Sequence, residues 1–349
     1  MDETNASAPE PPGDFCRNPQ IVSPQFIIGF TEITDCALLF CTVVSSCLQL
    51  FILQRAYQHI RRRTADKCLH VFLFSMTLAD FILTGICYPI EFSPRTNFFP
   101  EFPFAINAAM HMLCWISLIV SSVSLVFMNI DKLVYFQFPL RYSAHFTRRR
   151  SLIICTLCWT LSTAFVVFAW VRHSFRCVDD NCATLAIFPN RLHIYIPFML
   201  SVGVIPTVTS LTVALYILKI MQFHRKQIMQ EKLLCSPNTN ESRQNSVFMA
   251  RMRTFYFVFM TTVFTAITLL PYRFVGIYRA LNPSRRNECA TILVFWIFMY
   301  MVYLNSIVNP LLTVTILPQY RLKCFERFSL RLQKKTKEPE TGITHRESL

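Results

Sequence analysis

The sequence predicts an all-α membrane protein, a seven-transmembrane helix bundle, and three observations carry that prediction. Of 349 residues, 53% are hydrophobic and only 15% charged, with a mean hydropathy of +0.38, which is far too apolar for an ordinary water-soluble domain. Seven apolar runs each reach the roughly 20 residues that an α-helix needs to cross a hydrocarbon core about 30 Å thick. Lys and Arg concentrate in short segments between those runs.

The elements follow in chain order. Residues 1–25 are a Pro-rich, acidic tail with one glycosylation sequon, Asn5-Ala6-Ser7. The tail lacks the basic start and apolar core of a cleavable signal peptide, so the first helix is expected to act as the targeting signal. The apolar runs span about 26–54, 69–92, 102–130, 151–171, 192–221, 254–278 and 290–317. Lipid offers an open backbone no hydrogen-bonding partner, so each run is expected to be a helix. Glu32 and Asp35 stand near the start of the first run, which places its lipid-buried part from about Cys36 onward. Residues 318–349 form a basic tail, and no segment remains for a separate soluble domain.

Charge sets the expected orientation. With the N-terminus outside, 25 of the 34 Lys and Arg fall on the cytoplasmic side and eight outside, while Arg273 lies within a span. That imbalance satisfies the positive-inside rule over loops short enough for it to apply. The formal net charge of +14 thus reflects topology, not a nucleic-acid partner, which would need a basic face on a soluble fold. A second sequon at Asn240 falls on the cytoplasmic side and is expected to be unused.

Four of the 14 cysteines, Cys16, Cys177, Cys182 and Cys289, face the oxidising side and allow three pairings. Cys177 with Cys182 and Cys16 with Cys289 is the preferred set; a bond from Cys16 to the second outer loop is the alternative. The other ten are expected to be small packing residues.

A series of motifs resembles the rhodopsin-like (class A) G-protein-coupled receptors over roughly residues 30–325. The second run contains Leu78-Ala79-Asp80, and an intramembrane carboxylate is costly enough to demand a reason. The third ends in Asp131-Lys132-Leu133 and leads to Pro139-Leu140-Arg141-Tyr142, similar to that family's Asp-Arg-Tyr and the loop after it. Trp159, Pro206 and Pro271 mark the next three runs, and Asn305-Ser306-x-x-Asn309-Pro310 in the last resembles Asn-Pro-x-x-Tyr. The resemblance implies a plasma-membrane receptor that binds an extracellular ligand and activates a heterotrimeric G protein, with Asp131 and Lys132 at the coupling surface.

The same resemblance implies further sites. Asn305 and Asn309 share one helical face with Ser306 beside them, and Asp80 and Ser121 occupy family positions that converge there. This oxygen-only set around one carboxylate suits sodium, not zinc or copper; a hydrated polar network without an ion is the alternative. Tyr320 to Leu332 alternates Phe and Leu with Arg and Lys, resembling a short amphipathic eighth helix on the inner leaflet, where anionic lipid would be its partner. Cys324 within it is a candidate for palmitoylation. The terminal Glu347-Ser348-Leu349 is too short to weigh as a domain-binding motif.

Departures from the family pattern matter as much. Lys132 stands in place of Arg and lacks the planar guanidinium fork. Thr313 replaces the terminal Tyr of the last motif, Thr268-Leu269 replace Cys-Trp before Pro271, the first helix has no Gly-Asn pair, and Asn107 takes the place of the third-helix Cys. Cys114 at the amine-binding Asp position argues against an amine ligand, and Tyr303 at the Schiff-base position argues against retinal. Arg273, with His111, Cys114, Trp115, Tyr272, Trp296, Tyr300 and Tyr303 as expected neighbours, suggests capture of a carboxylate on a small acidic molecule or a peptide end. An internal pair between Arg273 and Glu91 is the competing reading.

Other classes are disfavoured. No His-Glu-x-x-His, Gly-x-Ser-x-Gly or Gly-rich phosphate loop points to an enzyme, and neither an internal repeat nor Gly-rich broken helices point to a transporter. The remaining alternative is a seven-helix binding, decoy or scaffold protein that keeps the fold without coupling, motivated by Lys132, Leu269 and Thr313.

Overall fold

A computed structural model describes residues 16, 22–62, 67–92, 102–138, 141–142, 146–177, 180–182, 185–187, 192–234, 239–282, 285 and 288–321. Among these residues lie seven long helices. Helix α1 is Pro24–Arg62; α2 runs through Lys67–Ile82, a π-helical turn Leu83–Cys87 and Tyr88–Phe92. Helix α3 is Phe104–Gln137 and α4 is Arg148–Val171. Helix α5 runs through Leu192–Met199, a second π-helical turn Leu200–Val204 and Ile205–Leu234. Helix α6 is Thr239–Leu281 and α7 is Cys289–Ile316. Between α4 and α5, strands β1 (Phe175–Cys177) and β2 (Leu185–Ile187) pair antiparallel, Arg176 opposite Ala186.

All seven helices are long and apolar enough to cross a membrane. The first, third, fifth and sixth outrun the apolar segments of the sequence by several turns. Hydropathy reports where hydrocarbon ends, whereas the backbone hydrogen-bond ladder continues into water as long as no breaker stops it. Large apolar side chains such as Ile33, Phe40, Leu161 and Phe168 point outward, where lipid takes the place of water as solvent. The buried faces carry Ser, Thr, Asn and Gln, the small and polar residues that let membrane helices approach and hydrogen-bond. The protein is a multi-pass membrane protein.

Helix α3 packs against α2, α4, α5 and α6, and α7 closes the bundle onto α1 and α6. Prolines shape this packing. A proline removes one helical hydrogen bond and its ring presses on the carbonyl four residues earlier. The π turns of α2 and α5 end two residues before Pro89 and Pro206, so an extra residue is inserted where the proline strains the ladder. In α7, Pro310 leaves the Ser306 carbonyl without its helical donor, and the Gln49 side chain supplies one through Nε2 at 3.1 Å. Gln49 in turn accepts from Thr84 at 2.5 Å, and Ser45 donates to the Ile307 carbonyl at 3.2 Å. Helices α1, α2 and α7 are thereby sewn together one turn before Pro310.

One end of the bundle carries two disulfides. Cys16 bonds Cys289, tying the N-terminal segment to the start of α7, and Cys177 bonds Cys182 beside the β-hairpin. At the opposite end a short 3-10 turn, Pro318–Tyr320, follows α7. Tyr320 is fully buried there, its hydroxyl sharing a 2.8 Å hydrogen bond with His70 Nδ1, while the His59 ring stacks on His70 at 4.8 Å. The amphipathic stretch expected over Tyr320–Leu332 enters the described residues only with Tyr320 and Arg321; its remainder, the Cys324 lipidation site and the Asn5 sequon lie outside them.

Candidate functional site

Three polar centres line the bundle axis. The middle one is built around Asp80 of α2, 1% exposed. Ser121 of α3 donates to Asp80 Oδ1 at 2.8 Å and Asn309 Nδ2 of α7 donates to Oδ2 at 2.9 Å. Ser306 stands beside the same carboxylate, its hydroxyl accepting from Tyr88 at 3.5 Å. Asn305, one turn along α7, accepts from Thr265 of α6 at 3.2 Å. The structure therefore gathers all five expected residues, Asp80, Ser121, Asn305, Ser306 and Asn309, and brings in Thr265, which the sequence reading omits. A small internal cavity is lined by Ser121, Asn305, Ser306 and Asn309. Asn309 Oδ1 is buried there with no hydrogen-bond partner among the described residues. An orphaned carbonyl-type oxygen beside a carboxylate and two hydroxyls is a donor set that fits a hard monovalent cation.

Toward the basic end, Asp131 and Lys132 sit buried at the foot of α3. Their charged groups lie 3.1 Å apart, with side-chain exposures of 0% and 4%. Tyr142 donates to the other oxygen, Asp131 Oδ1, at 2.8 Å. Its ring meets Tyr135 edge-on at 4.9 Å and stacks on Phe146 at 5.6 Å, so an aromatic stack positions its hydroxyl. Two residues earlier in α3, Asn129 Nδ2 donates to Thr262 Oγ1 of α6 at 2.9 Å. The acid of this motif is thus held from two sides, and α3 is tied to α6 just above it.

Toward the disulfide end lies Arg273 of α6, 3% exposed. Among the described residues its Nε has no hydrogen-bond partner, and its Nη1 reaches only the Met199 sulfur, a weak acceptor, at 3.7 Å. The guanidinium lies over the rings of Tyr272 and Trp115 at 5.7 and 5.9 Å, and Trp115 is backed by Phe175 of β1 and Phe198 of α5. Gly203 in the π turn of α5 makes room for the arginine stem: a Cβ there would stand 2.8 Å from Nε and 3.0 Å from Cδ. The contacts of Arg273 among the described residues do not include Glu91, whose Oε1 accepts from Tyr303 at 2.7 Å.

The eight expected neighbours divide into groups instead of forming one ring around Arg273. Trp115 and Tyr272 contact it, and Cys114 lies within its electrostatic reach. Trp296, Tyr300 and Tyr303 pack on the far side with Tyr88 and Phe92 of α2 and with α1. His111 is engaged elsewhere, donating through Nε2 to the Cys182 carbonyl at 3.0 Å, one turn below Asn107, which donates to the Asn181 carbonyl at 2.7 Å. These two bonds join α3 to the loop closed by the Cys177–Cys182 disulfide, at the position where the family pattern would put a cysteine. Sequence reasoning does not single out Gln49 or Gly203, and it meets Tyr142 only within the loop motif after the third run, without its bond to Asp131. A glutamine inside the first apolar run is a signal for Gln49; nothing local marks Gly203.

Seven apolar helices, a carboxylate-centred polar core and a buried acid–base pair at the foot of the third helix are the arrangement expected of a seven-helix membrane receptor. The chain belongs to the rhodopsin family of seven-transmembrane receptors: the family described as "7 transmembrane receptor (rhodopsin family)" matches residues 50–312. It is similar to the G-protein coupled receptor aex-2 of Caenorhabditis elegans, 22% identical over 316 residues that cover 88% of this chain and 87% of that one. It is also similar to the human adenosine receptor A2a, 23% identical over 266 residues, 72% of this chain and 61% of that one.

Proposed function

We propose that this protein is a plasma-membrane receptor, N-terminus outside, that senses a carboxylate-bearing ligand and activates a heterotrimeric G protein. The observation that carries the ligand class is Arg273. A guanidinium taken out of water without an acid costs several kcal/mol, and aromatic faces recover only about 2 kcal/mol. A membrane protein that retains such a charge near its outer end has a use for it, and a carboxylate is the partner that matches its fork. The ligand enters between α3, α6 and α7, meets Arg273 and, by binding one arrangement of α6 better than the other, shifts the bundle toward a state open at the basic end.

Orientation rests on the basic loops and on the two disulfides, which belong in an oxidising compartment. The middle centre serves as a sodium site in which Asp80, Ser121, Asn305, Ser306 and Asn309 hold the ion. Bound there, sodium would supply a positive charge that neutralises Asp80. Ser121 and Asn309 orient the carboxylate, while Asn309 Oδ1 completes an oxygen set drawn from α2, α3 and α7.

Lys132 favours a second reading, a binding protein that no longer couples. Its ammonium is buried against Asp131 and lacks the fork of an arginine. Nucleotide exchange on a panel of purified G proteins, with the receptor in lipid nanodiscs, separates the two. Exchange above the empty-nanodisc rate supports coupling; a ligand that binds the parent, loses affinity with Arg273→Ala and never stimulates exchange supports the second reading. Equal ligand affinity in the parent and Arg273→Ala removes the carboxylate assignment.

A further inference from the structure

Two thiols meet in the half of the bundle that ends in the disulfides. Cys87 closes the π turn of α2 and is fully buried, and that turn packs directly on α3. Its Sγ lies 3.7 Å from the carbonyl of Met110 in α3. In a regular helix the N–H of Cys114 donates to that same carbonyl. A helical side chain leans toward the turn before its own Cα, so the Cys114 sulfur is aimed at the turn where Cys87 already sits. The two thiols stand side by side, in one apolar cluster with Leu83, Tyr88 and Met110. Both are free, Cys87 buried and Cys114 partly exposed.

Packing alone asks for a small apolar group at each position; it does not ask for two sulfurs in contact with a guanidinium in range. Arg273 acts electrostatically on Cys114, and a positive charge near a sulfur favours the thiolate, the form that peroxides oxidise. Cys87 is placed to react with the product. Lipid and packed side chains exclude large or charged oxidants from this depth, whereas hydrogen peroxide is small and uncharged. Among the described residues no disulfide reaches α3, since Asn107 occupies the position where the family pattern has a cysteine.

We propose that Cys87 and Cys114 form an oxidation site, at which hydrogen peroxide closes the pair to a disulfide that ties α2 to α3. The Cys114 sulfur attacks one peroxide oxygen and the O–O bond breaks. Hydroxide leaves and takes up the thiol proton as water, so Cys114 becomes a sulfenic acid. The Cys87 sulfur then attacks that sulfenic sulfur: the S–S bond forms, the S–O bond breaks, and hydroxide leaves with the Cys87 proton as a second water. Two thiols thus lose two electrons and two protons, and one peroxide is reduced to two waters. The bond falls one residue before Trp115, whose ring lies under the Arg273 guanidinium, and it restrains α2 and α3 against moving apart there.

The test uses the full chain in lipid nanodiscs. After graded exposure to hydrogen peroxide the protein is denatured in N-ethylmaleimide, digested and mapped by mass spectrometry. A peptide linking Cys87 to Cys114 should grow with peroxide dose, with the loss of two alkylatable thiols. The thermal unfolding midpoint of the parent should rise in step by about 2 °C or more, the effect of one cross-link on a domain of this size. Cys87→Ala and Cys114→Ala should each abolish the rise; where a variant does not fold, the linked peptide in the parent decides alone. Recovery of both cysteines alkylated, at doses that oxidise methionine elsewhere in the chain, overturns the proposal. So does recovery of Cys114 as its sulfinic acid with Cys87 still alkylated, because the second thiol would then be out of reach. A linked peptide with no rise in the midpoint overturns the restraint on α2 and α3.

Discussion

Gln49 of α1 donates to the carbonyl of Ser306 in α7 at 3.1 Å, the carbonyl that Pro310 leaves without a helical donor. One side chain on the first helix thus repairs the backbone of the last. Gln49→Leu removes the repair and strands a buried carbonyl, which costs about 1–3 kcal/mol. The expected outcome is a lower unfolding midpoint, with Gln49→Asn, whose side chain is one methylene shorter, intermediate.

Asp80→Asn keeps most of the hydrogen-bond geometry around Ser121 and Asn309 but removes the charge. The parent should gain thermal stability in sodium relative to an organic cation at matched ionic strength, and Asp80→Asn should lose that difference. An equal response to sodium in both proteins would remove the ion from the account.

Tyr142 and Lys132 share the restraint on Asp131. Tyr142→Phe deletes one hydrogen bond, about 1 kcal/mol to a neutral partner and more to a charged one. Basal nucleotide exchange should rise in that variant if coupling survives. Lys132→Arg should lower it below the parent, because a two-pronged donor holds the acid more firmly.

Gly203→Ala places a methyl group where the Arg273 stem lies. Backbone and stem must part by several tenths of an ångström, so affinity for a carboxylate probe such as hexanoate should fall. Hexylamine, which makes no use of the guanidinium, serves as the control in the same thermal titration.

Much of the fold is legible in the sequence, because lipid leaves a backbone few choices and each crossing needs its own apolar run. The Asp80 centre is legible for a related reason: polar residues inside apolar helices are rare, and Asn305 and Asn309 announce a shared face by their spacing. The region around Arg273 is less so. Trp296, Tyr300 and Tyr303 look like companions of Arg273 on a linear reading, yet α7 turns them toward Tyr88, Phe92 and α1. Which way a side chain points depends on the rotation of its helix, and the π turns of α2 and α5 alter that rotation without leaving a periodic mark. Gly203 is of the same kind. Its role is an absence of atoms, visible only once Arg273 lies against it.

Asn107 and His111 join α3 to the hairpin loop by two hydrogen bonds. A covalent tether holds until a reductant reaches it, whereas a pair of hydrogen bonds opens and recloses spontaneously. The link between α3 and this loop is therefore reversible even in a fully oxidising medium. Reduction of Cys177–Cys182, a link spanning only five residues, would loosen the hairpin but sever no bond between helices. Among the described residues the loop is latched to α3 by two polar side chains and riveted by no covalent bond.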